Sequence, residues 1–390
     1  MNLFHTISKA ILSATMAFSF SAGIAADDTP RPTITPTGRA LIDGGAYITP
    51  SHDRVADGAA IPEVRLGAKL KYEKWEASID VSYAYSKIGL RNMWIQYNID
   101  RRNAVRIGNF IHQYGLQSTS SSMKCTMEQP LASSLYTPGL QLGAMFTHYD
   151  PRWYVAASAH VESSALKEVM NAPLFNQQGY ALLTRTVWRH APAGSSSFLH
   201  IGLSGGFATP QRRVEDGEDI HDGFTMSANF PTKVAQVKAI GTTVDRSMNL
   251  FKFTPEIVAA GGRIAFEGQY FFQQINRRDG LRAYRTQSGY ATLRTLLTRS
   301  SYAYVSSTAQ IARPAPGSLE LVADYNYSSL TDRRADIAGG RANSMSLTLN
   351  YYINPYITAR MNFFHTHTWG METAPGMTLS GIQARLMVLF

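Results

Sequence analysis

The chain has 390 residues, with 37 Lys and Arg against 28 Asp and Glu, and a single cysteine. Because Cys125 is alone, an intrachain disulfide and a cysteine-based metal cluster are both excluded. The formal net charge of +9 is suited to nucleic acid, lipid phosphates or anionic solutes, and the export signal described next argues against nucleic acid.

The first 26 residues are predicted to be a cleaved secretory signal peptide. Lys9 supplies a positively charged n-region, and residues 10–22 are apolar or small and uncharged. Either Gly23-Ile24-Ala25 or Ile24-Ala25-Ala26 then offers a small-residue cleavage site. An uncleaved anchor, which would leave the rest of the chain periplasmic, is the alternative. Beyond the signal no run of eighteen apolar residues predicts a membrane helix, and residues 27–390 are predicted to form one domain.

From residue 37 to the last residue, apolar and polar side chains alternate with the period of β-strands. Trp75, Ile79 and Tyr83 share one face of a run, and Glu76 and Asp80 share the other. Such runs match the about 9–11 residues that a tilted strand needs to cross the hydrocarbon core. Apolar side chains facing lipid and polar ones facing the interior are typical of an outer-membrane barrel.

Sixteen strands are predicted, so the fold class is all-β, a transmembrane antiparallel β-barrel with both ends on the periplasmic side. Short turns and long loops alternate along the chain, although the long link 299–316 falls on the turn side. Within 208–250, residues 234–243 could form one more strand and break the even count. The predicted strands are 37–48, 62–72, 75–86, 89–99, 104–112, 140–149, 153–161, 179–190, 197–207, 251–260, 263–275, 288–298, 317–329, 343–353, 356–367 and 379–390.

The C-terminal strand favours a membrane barrel over a soluble secreted β-protein. Ile382, Leu386 and Phe390 share an apolar face opposite Gln383 and Arg385, and the chain stops on the aromatic residue. A soluble protein gains little from a terminal exposed phenylalanine, whereas a terminal aromatic strand suits insertion into the outer membrane.

Several segments follow the order and spacing of a known family. The strand Val-Arg-Ile-Gly-Asn-Phe-Ile-His-Gln-Tyr-Gly-Leu over 105–116, the serines at 120–122 and Met127-Glu128 resemble the phosphate-selective porin O and P family. Segments 138–143, 152–154, 317–320, 339–340 and 349–355 extend the resemblance over most of residues 60–390. It implies a sixteen-stranded homotrimeric porin whose third loop, 113–139, folds inward and narrows the pore.

The family's type members line that pore with Arg and Lys that bind phosphate or polyphosphate. Glu320 matches the family's glutamate at its position. Four other family positions differ in this chain: Ile111 stands where the family has Lys, Gln117 where it has Glu, and Gln129 and Asp324 where it has Arg. The resemblance therefore supports the fold more strongly than phosphate selectivity.

Strand parity independently predicts which basic residues face the pore. A mixed lumen with a modest positive bias would favour anions, and Lys124, in the predicted constriction loop, is the best single candidate for an anion contact. The alternative is that these residues pair with carboxylates on neighbouring strands and brace the wall. The predicted pore-lining, anion-binding residues are Arg65, Lys69, Arg106, Lys124, Arg263, Arg294 and Arg360.

The predicted function is that of a passive, water-filled outer-membrane porin for small anions, phosphate-like ones included, without cofactor or catalysis. A non-conducting barrel acting as an adhesin or structural protein is the main alternative, and a barrel hydrolase is a weaker one. Neither Gly-x-Ser-x-Gly nor His-Glu-x-x-His occurs, and His365 and His367 have no nearby carboxylate to complete a metal site. Outer-membrane lipid and lipopolysaccharide phosphates are the expected partners of the loop arginines.

Overall fold

The structure is a computed structural model that describes residues 30–48, 55–84, 87–118, 123–161, 179–215, 218–221, 223–372 and 375–390. The predicted signal peptide over 1–26 lies outside the described residues. Among those described, no helix is long and apolar enough to cross a membrane.

Sixteen antiparallel strands close into one barrel, as the sequence predicts. Each is hydrogen-bonded to its two neighbours, and every predicted run corresponds to one of them. In chain order they are β1 (Thr33–Ile48), β2 (Gly58–Tyr72), β3 (Trp75–Ala84), β4 (Lys87–Asn98), β5 (Asn103–Ile111), β6 (Leu140–Tyr149), β7 (Trp153–Val161), β8 (Tyr180–His190), β9 (Ser197–Ala208), β14 (Ser247–Gly261), β15 (Ile264–Arg277), β16 (Tyr284–Leu296), β19 (Ser318–Asp332), β20 (Ile337–Tyr352), β21 (Ile357–Met371) and β22 (Thr378–Leu389).

The remaining elements of the described chain lie in the connections. Three two-stranded sheets and one short helix interrupt the loops, and none of them joins the barrel. They are β10 (Arg212–Glu215) with β11 (Glu218–His221), β12 (Phe224–Asn229) with β13 (Lys238–Val244), β17 (Tyr304–Val305) with β18 (Gln310–Ile311), and α1 (Leu131–Tyr136).

The suspected extra strand in 208–250 does exist, but it leaves the even count intact. β13 pairs with β12 in a separate hairpin, from Phe224↔Val244 to Asn229↔Lys238. Because this hairpin lies within one connection, the strands before and after it, β9 and β14, remain direct neighbours in the barrel wall.

Closure joins the first strand to the last. β1 pairs with β22 from Arg39↔Leu389 to Ile48↔Ser380, and the Gly38 amide donates to the Phe390 carbonyl at 2.6 Å. A closed barrel has no free strand edge, so the backbone groups of the wall are satisfied without water. The C-terminal residue is therefore part of the seam.

The two faces of the wall differ in polarity. On β22, Ile382 and Leu386 are 51% and 39% exposed, whereas Gln383 and Arg385 are 2% and 5% exposed. Similar alternation along β8 buries Arg185 and exposes Leu182 and Trp188 on the other face. The outer surface is thus apolar, as lipid requires, and the charged side chains line the interior.

Candidate functional site

The interior wall is braced by buried ion pairs. Arg385 donates from Nε and Nη2 to the two carboxylate oxygens of Asp43 at 2.7 and 2.6 Å, across the seam between β22 and β1. Beside it, Arg39 contacts Glu63 at 2.7 Å, and Arg65 contacts the same carboxylate at 2.8 Å. Bidentate guanidinium–carboxylate pairs fix both partners, so these arginines are held against the wall.

Arg294, a predicted pore-lining residue, is one of the most tightly paired. Its guanidinium lies between two carboxylates, with Nη1 2.6 Å from Glu267 and Nη2 2.8 Å from Glu320. Tyr302 and Tyr352 donate hydrogen bonds to the same Glu320 at 2.9 and 2.7 Å. Arg294 is 3% exposed, and its position fits the wall-bracing alternative.

The connection between β5 and β6, residues 112–139, makes hydrogen bonds to interior-facing groups on strands from β8 round to β22. We refer to it as the β5–β6 segment. At one end the Gly115 amide donates to Ser204 Oγ at 3.0 Å. At the other, Asn350 donates to the Cys125 carbonyl at 2.7 Å and Arg385 to the Met127 carbonyl at 2.7 Å. Sequence reasoning predicted this loop but not its short helix α1.

Helix α1 is fixed by the hydroxyl and carbonyl of its last residue, Tyr136. The Tyr136 hydroxyl is hydrogen-bonded to Thr286 and, at 3.1 Å, to Ser288, while Lys252 donates to its carbonyl at 3.0 Å. Burial raises the pKa of Tyr136 to about 12, so its hydroxyl stays protonated at neutral pH.

Arg360 is buried beneath the β5–β6 segment. It donates from Nη1 to the Thr126 carbonyl at 2.8 Å and from Nη2 to the Lys124 carbonyl. At 5% exposure it has little surface to offer a solute. Its described contacts tie the segment to β21.

Lys124, on that segment, is half-buried in a cluster of charges. Its Nζ donates to Gln129 Oε1 at 2.5 Å. Burial lowers the pKa of Lys124 to about 8, although Glu128 acts in the opposite direction. Burial would raise the pKa of Glu128, but the charges of Lys233 and Arg385 hold it below its ordinary value. Lys124, Glu128, Lys233 and Arg385 line a cavity of about 440 Å³.

A second long connection, residues 297–317 between β16 and β19, is anchored to interior-facing residues of β8 and β9. Arg185 donates to the Ala309 carbonyl at 3.0 Å and Arg189 to the Ser306 carbonyl at 2.7 Å. The Tyr304 hydroxyl lies 2.8 Å from Nδ1 of His200. We refer to this connection as the turn-end insertion, because it joins two strands at the end of the barrel that carries the short turns.

The β5–β6 segment and the turn-end insertion meet in one apolar cluster. Leu116 of the segment packs in it with Tyr302 and Ile311 of the insertion. The contacts described above join the two connections to interior-facing residues on β8, β9 and β20 to β22, and we refer to the wall from β8 to β22 as the covered side. Among the predicted site residues, Arg294 and Arg360 belong to this covered side.

The interior face of β2 to β7 borders open space. A cavity of about 820 Å³ is lined there by Lys71, Glu76, Arg106, Met145 and Tyr154, among others. Lys69 is exposed on β2, in register with the buried Ser78 of β3 and two residues from Lys71. Within the described residues, neither Lys69 nor Arg106 makes an ion pair, whereas Arg65 is bonded to Glu63.

Arg263 lies outside the strand predicted to begin with it. β14 ends at Gly261 and β15 begins at Ile264, so Arg263 is an exposed residue of the intervening turn. Gly262 adopts φ +60° there, a left-handed conformation that glycine tolerates without strain. The Gly-Gly pair marks the turn in the sequence, but parity extended the strand one residue too far.

Sequence reasoning missed Arg39, Asp43 and Lys233. The parity of predicted strand 37–48 places Arg39 and Asp43 on one face and could have identified both. Lys233 carries no such signal, because it belongs to the link between β12 and β13. Among the described residues, no group of three or more His, Cys, Asp or Glu could hold a metal ion.

Comparison with known proteins agrees with this architecture. The family model described as phosphate-selective porin O and P matches residues 37–390. No curated protein sequence matches. The outer-membrane expressed OmpT of Vibrio cholerae has a similar structure, with a TM-score of 0.59 at 11% identity, covering 94% of this chain and 99% of that one. The in-vitro folded trimer form of OmpT from Vibrio cholerae gives 0.58 at 12% identity, covering 92% and 99%.

Proposed function

Because the chain belongs to the phosphate-selective porin O and P family, we propose that it is a passive, water-filled porin that prefers small anions. The anion preference rests on a difference in charge pairing between two sides of the interior wall. On the covered side Arg185, Arg294 and Arg385 are paired with carboxylates. By contrast, Lys69 is exposed on β2 and Arg106 lines the 820 Å³ cavity, and neither has an ion pair in the described chain. Unpaired cations beside a pore favour anions, since low-dielectric walls strengthen their field.

The β5–β6 segment is proposed to be the constriction, folded inward as the family resemblance implies. Its hydrogen bonds to interior groups on β8, β9 and β20 to β22 support this role. Lys124 would contact passing anions, because it borders the 440 Å³ cavity. Solutes would pass along the β2 to β7 side, which the turn-end insertion leaves open.

The protein is proposed to be exported through a cleaved signal peptide over 1–26 and to insert in the outer membrane as a homotrimer. The trimer form of OmpT, which has a similar fold, supports the assembly. Lipid would cover the apolar outer surface, and loop arginines would meet lipopolysaccharide phosphates. Neither a cofactor nor a catalytic step is needed for passive diffusion.

Selectivity can be measured on purified protein in planar bilayers. We expect stepwise conductance and a reversal potential in a KCl gradient that gives a greater permeability for chloride than for potassium. Substitution of Lys69 and Arg106 together by Gln should reduce that ratio, and Arg263→Gln, in the exposed turn, serves as the control. Cation selectivity of the wild type would contradict the anion preference, and absence of steps would favour a non-conducting barrel.

A further inference from the structure

Arg106 differs from the other interior arginines in what surrounds its charge. It projects from β5 into the 820 Å³ cavity on the open side of the barrel, which we call the turn-end chamber. Among the described residues no carboxylate pairs with it. Two aromatic rings and an amide lie beside its guanidinium.

These three groups orient the guanidinium and leave Nη1 available. The guanidinium carbon lies over the Trp94 ring, 4.0 Å from its centroid, and it is 5.5 Å from the centroid of the Phe110 ring. Nε and Nη2 donate to the Gln96 amide oxygen at 2.9 and 2.6 Å. Nη1 has no hydrogen bond within the described residues. A stacked, pre-oriented guanidinium loses little entropy when it binds an anion.

Apolar side chains of β6 and β7 line the same chamber as Arg106. Met145 faces Arg106 directly across the β5–β6 ladder, and Met145, Tyr149 and Tyr154 all line the chamber. Met145 and Tyr154 also pack with Phe110 in one apolar cluster of the interior face. Met145 and Tyr154 are only 5% and 2% exposed, and the half-buried Tyr149 offers the chamber more apolar surface.

We propose that this part of the turn-end chamber binds small carboxylates that carry an apolar or aromatic body, such as benzoate. The proposal rests on the anion-porin function and specifies its substrate class. One guanidinium edge matches one carboxylate, and the adjoining side chains would cover the apolar body of the solute. Inorganic phosphate offers no apolar surface, so it would gain nothing from the side chains that adjoin the guanidinium.

The test compares benzoate, acetate and inorganic phosphate as blockers of chloride current through the protein in planar bilayers. Benzoate should block at a concentration at least about tenfold lower than acetate or phosphate, since only benzoate uses both the guanidinium and the apolar wall. Arg106→Gln should weaken the benzoate block by at least about tenfold through loss of a charge-assisted contact. Equal block by all three anions would overturn the proposal.

A matched control is Lys71→Gln, which removes a cation from the same chamber at a position facing Glu76 in the strand register. It should leave the benzoate block nearly unchanged. An effect equal to that of Arg106→Gln would show that the overall positive charge of the chamber, and not a specific site at Arg106, causes the block. Trp94→Leu keeps the charge but removes the stacking ring, so it should weaken benzoate more than acetate.

Calorimetric titration of benzoate into the detergent-solubilised protein separates this proposal from the porin function. Benzoate binding that is lost in Arg106→Gln, in a protein that gives no current, would support the subsite and contradict the porin. Normal anion-selective current without benzoate binding would support the porin and overturn the subsite.

Discussion

Arg385 on the last strand holds Glu128 of the β5–β6 segment, with 2.5 Å between Nη2 and Oε1. The same guanidinium is bound to Asp43 of the first strand. One side chain thus joins the barrel seam to the loop proposed to narrow the pore, and its contact with Glu128 can be removed while its pair with Asp43 remains.

Glu128→Gln should loosen the constriction without unfolding the barrel. The neutral amide keeps the size of the side chain but loses the charge attraction, while Arg385 retains its pair with Asp43. We expect greater open-channel noise and a higher mean single-channel conductance in planar bilayers. Glu73→Gln, an exposed carboxylate in the turn between β2 and β3, is the control and should behave as the wild type. Unchanged noise in Glu128→Gln would argue against the Arg385 contact as an anchor.

Arg294→Met should be strongly destabilising. It leaves Glu267 and Glu320 as buried carboxylates without their cation, and breaking a buried pair typically costs about 3–5 kcal/mol. The free energy of unfolding can be measured by urea titration of the protein in lipid vesicles, followed by tryptophan fluorescence. Lys69→Met removes an interior cation that has no ion pair in the described chain, and it should change the stability by less than about 1 kcal/mol. Similar losses in both variants would mean that the pairing of Arg294 does not stabilise the wall.

This contrast also shows what the sequence could predict. Period-two polarity located all sixteen strands, because lipid on one side and a polar interior on the other constrain every residue of the wall. It also placed Arg65, Lys69, Arg106, Arg294 and Arg360 on strands. Which of them border open space was not predictable, because that depends on where two long connections lie against the wall.

Arg294 and Lys69 have the same polarity pattern in the sequence, yet one is enclosed by carboxylates and the other is exposed. Partners such as Glu267 and Glu320 come from strands that are neighbours in space but separated along the chain. Parity gives the face of a strand and not the register between strands, which depends on turn geometry. At Arg263 it was the strand boundary that parity misplaced, since the glycine turn includes this residue and β15 begins one residue later than the pattern.

Arg189→Ala should release the turn-end insertion. Arg189 donates to the Ser306 carbonyl at 2.7 Å and lies over the Tyr304 ring at 5.5 Å, and alanine makes neither contact. Chymotrypsin should then cleave near Tyr302 and Tyr304 faster than in the wild type, as followed by mass spectrometry of the fragments. Arg152→Ala, in the neighbouring exposed turn, should leave the cleavage rate unchanged. Equal resistance of both variants would show that other contacts suffice to hold the insertion.

Anion preference should fall as the pH rises through about 8, the pKa to which burial lowers Lys124. Below that pH the ammonium is charged and attracts anions to the constriction, and above it the neutral amine no longer does. Reversal potentials measured from pH 6 to pH 10 should therefore show a falling chloride-to-potassium permeability ratio with its midpoint near 8.

Lys124→Met should abolish this titration and keep the ratio low throughout, whereas Lys71→Gln should retain the midpoint because Lys124 is intact. A pH-independent ratio in the wild type would mean that Lys124 does not face the conducting path.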